Sequence, residues 1–492
     1  MSHPKKLLFF PMALKGHICH TVRIAEWFLK KPLEYEVHVS CSPDAQVSLP
    51  QGVIFHTNTE LPDGDVSARL FSAMSEGRTQ IEAAGLMFEK ADLQGHADGV
   101  KVAVRQIQEL KPDMVIYEVG LNFSNVMHTA AKHFGVPDVM LVPMARPETV
   151  LSAFTLISCL IMYPTPTMRL LKALKNVPDQ FEPLIGTKLI PERCKPFTIY
   201  PGAQILCEVP PKSHEMYTGS MQPFDGQVPF EQSQPLQSDS SRISELSEAV
   251  PRLRDWVKYK LDAGIPLIYI ALGTLATPSA ELVKRIVEAL DMGPWAIIWS
   301  LPEAHQVLLP HKLSDQWLID SFFPQMALFQ AQVVDCFMSH CGGNSTTEAI
   351  SNGIPIVCLP FFGDQFEWAN SITVHIKAGV TIDKHKSTSA DITRAVKNVL
   401  GSAIYREKAK AAAQTIMEDA QMRLNYLGAE LDRNPKRVGV LVAAAVIEKR
   451  MASEDPYDVL PVNLRHKEDM WWGCFSFLLK SFWKKPQTRP EA

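Results

Sequence analysis

Residues 322–365, FFPQMALFQAQVVDCFMSHCGGNSTTEAISNGIPIVCLPFFGDQ, decide how the chain reads. The apolar run 333–338 predicts a buried strand that ends at Ser339-His340. Cys341-Gly342-Gly343 then predicts a tight turn, and a helix beginning at Asn344 or Ser345. Glycine lets a backbone approach a bulky anion, and a helix N-terminus presents unpaired N–H groups at its positive end. A phosphate there gains on the order of 0.3–1 kcal/mol from the dipole, and up to ~2 in a partly buried setting. His340 adds a donor from the strand end. The plainer reading of Ser345-Thr346-Thr347-Glu348 is a capping box that only satisfies the first turn.

Working outward, the same strand–helix rhythm fills both halves. Strands are predicted at 6–12, 36–41, 53–57 and 113–117, with helices at 21–30, 97–110 and 125–134. After a Gln-, Ser- and Pro-rich stretch the rhythm resumes. Strands follow at 267–272, 296–300, 333–338 and 354–359, and helices at 390–400 and 405–427. Thr277-Pro278 suits a helix N-cap with proline at the first helical position. This pattern predicts an α/β protein with two doubly wound parallel sheets facing a cleft, a natural ligand site. The expected division is 1–218, a linker over 219–250, a second domain over 251–455 and a tail over 456–492.

The composition excludes several classes. The chain has 492 residues, room for two to four domains at roughly 100–200 residues each. The 49 basic and 53 acidic residues nearly balance, which argues against a nucleic-acid partner. Nine cysteines without a C-x-x-C pair argue against a zinc ribbon or disulfide framework. The apolar run Leu7–Phe10 is too short for a signal peptide core and reads as a strand, which favours a cytoplasmic location. The tail segment 470–483, MWWGCFSFLLKSFW, is too short to span a bilayer. It reads either as an interfacial membrane contact or as a segment packed back on the body.

With its wider spacing, the opening stretch resembles the signature box of family-1 UDP-dependent glycosyltransferases. That box begins W-x-P-Q and ends D/E-Q. Phe322-Phe323-Pro324-Gln325 opens it here and Asp364-Gln365 closes it, a span of 44 residues, with His340, Asn344, Ser345 and Glu348 in register. The resemblance implies the GT-B fold, two Rossmann-like domains, and a UDP-sugar co-substrate, glucose being favoured, with no metal or other cofactor. It implies that Phe322 stacks on uracil and that Gln325 and Glu348 bond the ribose. His340, Gly342, Asn344 and Ser345 would hold the diphosphate, and Asp364 and Gln365 the sugar hydroxyls. Ala271-Leu272-Gly273-Thr274 resembles the family's S-x-G-S/T turn, which places Gly273 and Thr274 beside the diphosphate. Phenylalanine replaces the usual tryptophan at 322 and still offers a stacking face. Many family members carry tryptophan where this chain has Gly343.

In the first half, Gly16-His17 resembles the family's G-H motif, whose histidine deprotonates the acceptor hydroxyl. Histidine suits that work near neutral pH. His20 is the nearest competitor. The family orients the histidine with an aspartate in P-D-x-V-x-x-D, and here Pro112-Asp113-Met114-Val115-Ile116-Tyr117-Glu118 places Glu118 there. In a 3-2-1-4 strand order the first and fourth strands are neighbours, so their carboxyl ends bring His17 and Glu118 together. The implied chemistry is inverting transfer to a small lipophilic hydroxyl acceptor such as a phenol, a sterol or another alcohol. Segments 66–88 and 150–174 occupy the variable acceptor region. Asp63-Gly64-Asp65 spells the D-x-D of metal-dependent glycosyltransferases but reads as a turn. Two other readings stay open: a UDP-sugar-binding protein without transfer activity, and a sugar-nucleotide epimerase, against which Gly16-His17 argues.

Overall fold

The computed structural model describes residues 3–61, 64–77, 79–118, 124–143, 153–190, 196–207, 211, 214–221, 251–291, 293–310, 312–428 and 438–452. The first sheet holds β1 (Lys5–Phe10), β2 (Tyr35–Cys41), β3 (Ile54–Thr57), β4 (Met114–Tyr117), β5 (Asp138–Leu141), β6 (Thr198–Tyr200) and β7 (Glu215–Tyr217). Its order is β3-β2-β1-β4-β5-β6-β7, all parallel. The second holds β8 (Leu267–Ala271), β9 (Ala296–Ser300), β10 (Trp317–Asp320), β11 (Cys336–Ser339), β12 (Ile356–Cys358) and β13 (Gly379–Thr381). Its order is β10-β9-β8-β11-β12-β13, again parallel. Both are doubly wound, with the first strand of each beside the fourth.

The helices that matter below are α1 (Lys15–Leu29), α2 (Gly64–Glu76), α3 (Leu93–Leu110), α4 (Gly343–Ser351), α5 (Ala403–Leu427) and α6 (Val438–Ala452). Parallel strands are covered on both faces, so their sequences are apolar runs rather than alternations. β8, LIYIA, is buried throughout. Helix α6 is apolar around its circumference because it is buried on nearly every side. It packs with Leu424 of α5 on Leu7, Phe9, Val39 and Ile116 of the first sheet. Lys31 and Tyr35 both hold Glu448 of α6, at 3.1 and 3.0 Å. The chain therefore returns from the second sheet to the first after α5.

Several local expectations shift. The helix after β8 is Ala280–Leu290, capped by Ser279, whose hydroxyl accepts from the Leu282 N–H at 3.2 Å. Thr277 is not the cap; its N–H donates to Ser75 Oγ of α2. Helix α1 begins six residues earlier than the apolar stripe implied, because His17 and His20 occupy its polar first turns. Strands β5, β6, β7, β10 and β13 were not anticipated. The apolar acceptor-region segment forms helices Ala153–Met162 and Pro164–Lys175. One side, with Cys159 and Leu170, packs on Ala84 and Phe88, while Ile161 and Met162 stay exposed. Gly64 and Asp65 begin α2; Asp63 lies outside the described residues. So do most of the linker, from 222 to 250, and the whole aromatic tail at 470–483. Among the described residues no helix is long and apolar enough to cross a membrane.

Candidate active site

The turn from β11 into α4 is the structural centre of the site. Cys341 sits in the left-handed region at φ 61°. A non-glycine residue there costs of order 1–3 kcal/mol and persists only where its surroundings enforce it. Here the Cys341 N–H donates to Ser339 Oγ at 3.1 Å. Gly342 is the N-cap and α4 starts at Gly343, one or two residues earlier than the sequence implied. No side chain caps this end. Ser345 lies inside the first turn, and the Glu348 carboxylate points elsewhere, so the capping-box reading fails. The first-turn N–H groups are left for another acceptor.

His340 lies across two glycines. A Cβ on Gly273 would stand 2.5 Å from His340 Nε2, and one on Gly342 closer still. Gly273 also holds φ +77°. Glycine at both places is what lets the imidazole lie against the turn. Burial pushes the His340 pKa down to about 4, against a smaller upward pull from the Ala271 carbonyl. The ring is neutral at physiological pH, with one N–H and one bare nitrogen. Thr274 is exposed beside it.

The other second-domain residues surround this turn. Phe322, just after β10, is 66% exposed, unusual for a large aromatic and fitting for a stacking platform. Gln325 Nε2 donates to Glu348 Oε2 at 2.8 Å and to Ser345 Oγ at 3.3 Å. Glu348 is buried, with Oε1 3.3 Å from Arg23 Nη2 of α1. Asp364 Oδ2 accepts from Trp368 Nε1 at 2.8 Å. The Trp368 indole lies over Gly343, where a Cβ would meet it at 3.1 Å. Gln365 turns its Oε1 inward to accept from the Phe361 and Phe362 N–H groups at 2.8 and 3.2 Å.

The first domain contributes His17 and Glu118. β1 pairs with β4, Phe10 opposite Tyr117, and the Glu118 N–H donates to the Phe10 carbonyl. This topology puts His17 Nδ1 3.3 Å from Glu118 Oε2, within ion-pair reach and short of hydrogen-bond alignment. Glu118 Oε2 also accepts from the Met12 N–H at 3.5 Å.

The two domains meet at Asn344. Its Nδ2 donates to the Gly16 carbonyl at 2.7 Å, and its Oδ1 lies 2.7 Å from His20 Nε2. Burial, with the nearby Arg23 charge, pushes the His20 pKa down to about 3. His20 therefore engages the second domain and does not compete with His17 for Glu118. Arg23 completes the junction, donating to the Met221 carbonyl as well as to Glu348. Lys384 makes a second clasp, donating to the Ser75 carbonyl of α2 at 2.7 Å and to the Phe361 carbonyl at 2.6 Å. Its burial lowers its pKa to about 8. Sequence reasoning missed Arg23, Lys384 and Trp368. A signal existed for the first: His17, His20 and Arg23 recur every three residues along one side of the helix.

Comparison with known proteins adds independent findings. Residues 212–423 match the model of the UDP-glucoronosyl and UDP-glucosyl transferase family. A flavonol 3-O-glucosyltransferase of Arabidopsis thaliana is 32% identical over 152 residues, 30% of this chain and 33% of that protein. The anthocyanidin 3-O-glucosyltransferase of Vitis vinifera is 28% identical over 165 residues, 33% of this chain and 35% of that protein. The chain spans about a third of the length of the curated relatives it matches. Among solved structures, the kitacinnamycin glycotransferase superposes with a TM-score of 0.62 at 14% identity, covering 91% of this chain and 100% of that one. An anthocyanidin 3-O-glucosyltransferase in complex with UDP superposes with a TM-score of 0.57 at 16% identity, covering 90% and 99%. Residues 212–423 are thus similar to the UDP-glucoronosyl and UDP-glucosyl transferase family, and the chain as a whole has the GT-B fold.

Proposed function

We propose that the protein is an inverting glycosyltransferase that moves a sugar, glucose by preference, from a UDP-sugar to a hydroxyl of a small lipophilic acceptor. The observation that carries this reading is the junction at Asn344. It brings the uncapped end of α4 against Gly16, the residue before His17. A base and an anion site on different domains then face one cleft.

In this reading His17 takes the proton of the acceptor hydroxyl, and Glu118 steadies the imidazolium that forms. The acceptor oxygen bonds to the anomeric carbon as the bond from that carbon to the diphosphate oxygen breaks. The electron pair leaves on UDP, and an α-linked donor gives a β-glycoside. The first-turn N–H groups of α4 and the neutral His340 meet the charge growing on the diphosphate, so the reading calls on no metal or cofactor. Phe322 stacks on uracil, Gln325 and Glu348 hold the ribose, and Asp364 and Gln365 the sugar. Gly273, Thr274, Gly342, Asn344 and Ser345 line the diphosphate path.

A second reading, a UDP-sugar binder without transfer, draws on the contacts that Asn344 and Glu348 already make to α1. One assay separates the two. The protein is incubated with UDP-glucose and a phenol and sterol panel, and UDP release is measured together with glycoside mass. Coupled release supports transfer. UDP binding without turnover on any of several UDP-sugars replaces it with the binder reading.

A further inference from the structure

Lys384, just after β13, is buried, with 6% of its surface exposed. Burying an ammonium is costly unless its hydrogens find acceptors. One hydrogen goes to the Ser75 carbonyl at 2.7 Å, an acceptor that the last turn of α2 leaves without an intrahelical donor. Another goes to the Phe361 carbonyl at 2.6 Å. At neutral pH the head remains an ammonium, favoured against its burial by the charges of Asp383 and Glu82.

The Phe361 carbonyl and the Phe362 N–H are the two ends of one peptide group. Its oxygen accepts from Lys384 Nζ, and its N–H donates to Gln365 Oε1 at 3.2 Å. A cation on the oxygen polarises the peptide and strengthens the N–H as a donor. The Phe361 N–H, from the preceding peptide, gives the same Oε1 a second bond at 2.8 Å. Both lone pairs of that oxygen are then used, so Gln365 can offer a sugar only its NH2 group.

We propose that Lys384 is a positioning residue for the donor sugar: it holds the 361–362 peptide between α2 and Gln365, and so fixes the Gln365 amide as a hydrogen-bond donor to a sugar oxygen. This rests on the assignment of Gln365 to the sugar made above. Uracil, ribose and diphosphate are assigned to other residues, so the effect of Lys384 falls on the sugar. The same ammonium fastens the sugar-facing loop to α2, so the sugar contact is ordered only while the two domains stay joined at Ser75.

Calorimetry on the full chain compares UDP-glucose with UDP in the wild type and in Lys384→Met, which keeps most of the stem and removes the charged head. UDP-glucose affinity is expected to fall about tenfold, the worth of a hydrogen bond to a charged group, while UDP affinity stays within about twofold. Lys384→Arg, whose cation can span both carbonyls, should restore the affinity for UDP-glucose. Lys384→Gln, with an uncharged head one bond shorter, serves if the apolar head prevents folding, and a smaller loss confined to UDP-glucose is expected. Equal losses for the two ligands reduce Lys384 to a support of the fold, and unchanged affinities show that the peptide needs no cation; either result overturns the proposal. Gln365→Met, run in parallel, separates this from the reading beneath it. A loss for UDP-glucose there but not in Lys384→Met overturns the proposal alone, and no loss in either variant overturns the sugar assignment of Gln365 as well. The comparison needs no turnover, so the expected split without any glycoside keeps Lys384 in its role and overturns only the transferase reading.

Discussion

The two halves of the site are built in opposite ways. In the second domain, nine of the proposed contact residues come from one contiguous stretch of 44 residues around a single strand–helix turn. In the first domain, His17 and Glu118 are far apart in sequence and meet only because β1 and β4 pair. A site concentrated in one turn leaves a spacing that any reader of the sequence can see. A site assembled by sheet order shows only through the topology rule that predicts which strands touch.

Mutations can break or sharpen that contrast. The largest effect belongs to His17→Ala, which should lower transfer by roughly 10²–10⁴ while leaving UDP affinity nearly unchanged, measured by turnover and calorimetry. Loss of UDP binding, or unchanged turnover, would remove His17 from the base role. Next comes Glu348→Ala. It strips a buried acceptor from Gln325 and Arg23 and should weaken UDP binding by about tenfold or more, given the worth of hydrogen bonds to charged groups. If UDP affinity did not move, the ribose assignment would be wrong. Gly342→Ala should follow, because the new Cβ drives His340 off the turn at a cost of about 1–3 kcal/mol, read as a lower thermal midpoint together with weaker UDP binding. A fall in the midpoint with intact UDP affinity would detach His340 from the donor.

The smallest effect is a pH dependence. His20 and His340 are held neutral, with folded pKa values near 3 and 4 against about 6.5 when unfolded. The unfolded chain binds more protons between those values, so the stability these two groups supply is complete above about pH 6.5 and is lost as pH falls toward 4. A thermal midpoint that declines from pH 7 to pH 5, less steeply in His20→Gln, is the expected result. A decline equally steep in that variant would exclude His20 as a contributor.

The fold was legible because parallel strands are buried on both faces and announce themselves as apolar runs. β8 and β9 fell within a residue of their expected bounds for that reason. β6, β7 and β13 are three residues each, too short for any periodicity to show. The helix start at Gly343 was misjudged because Ser345 and Glu348 imitate a capping box, and only the Gln325 and Arg23 contacts reveal where Glu348 points. Asn344 was legible as a box residue but not as the bridge to Gly16 and His20. That bridge depends on how two domains meet, which no local pattern encodes. Trp368 was invisible for a related reason: its neighbour Gly343 is remote in sequence.

The return of α6 to the first sheet has a consequence for biosynthesis. Val438, Val440, Val442 and Ile447, with the rest of α6 and with Ala420 and Leu424 of α5, complete a core whose other residues lie at or before Met221. At about 5–20 residues per second, the ribosome needs roughly 10–50 seconds to travel from residue 221 to 452. Throughout that interval the nascent first domain presents one apolar flank without its cover. The second domain can close as soon as its own strands emerge, so the half translated first is the half finished last.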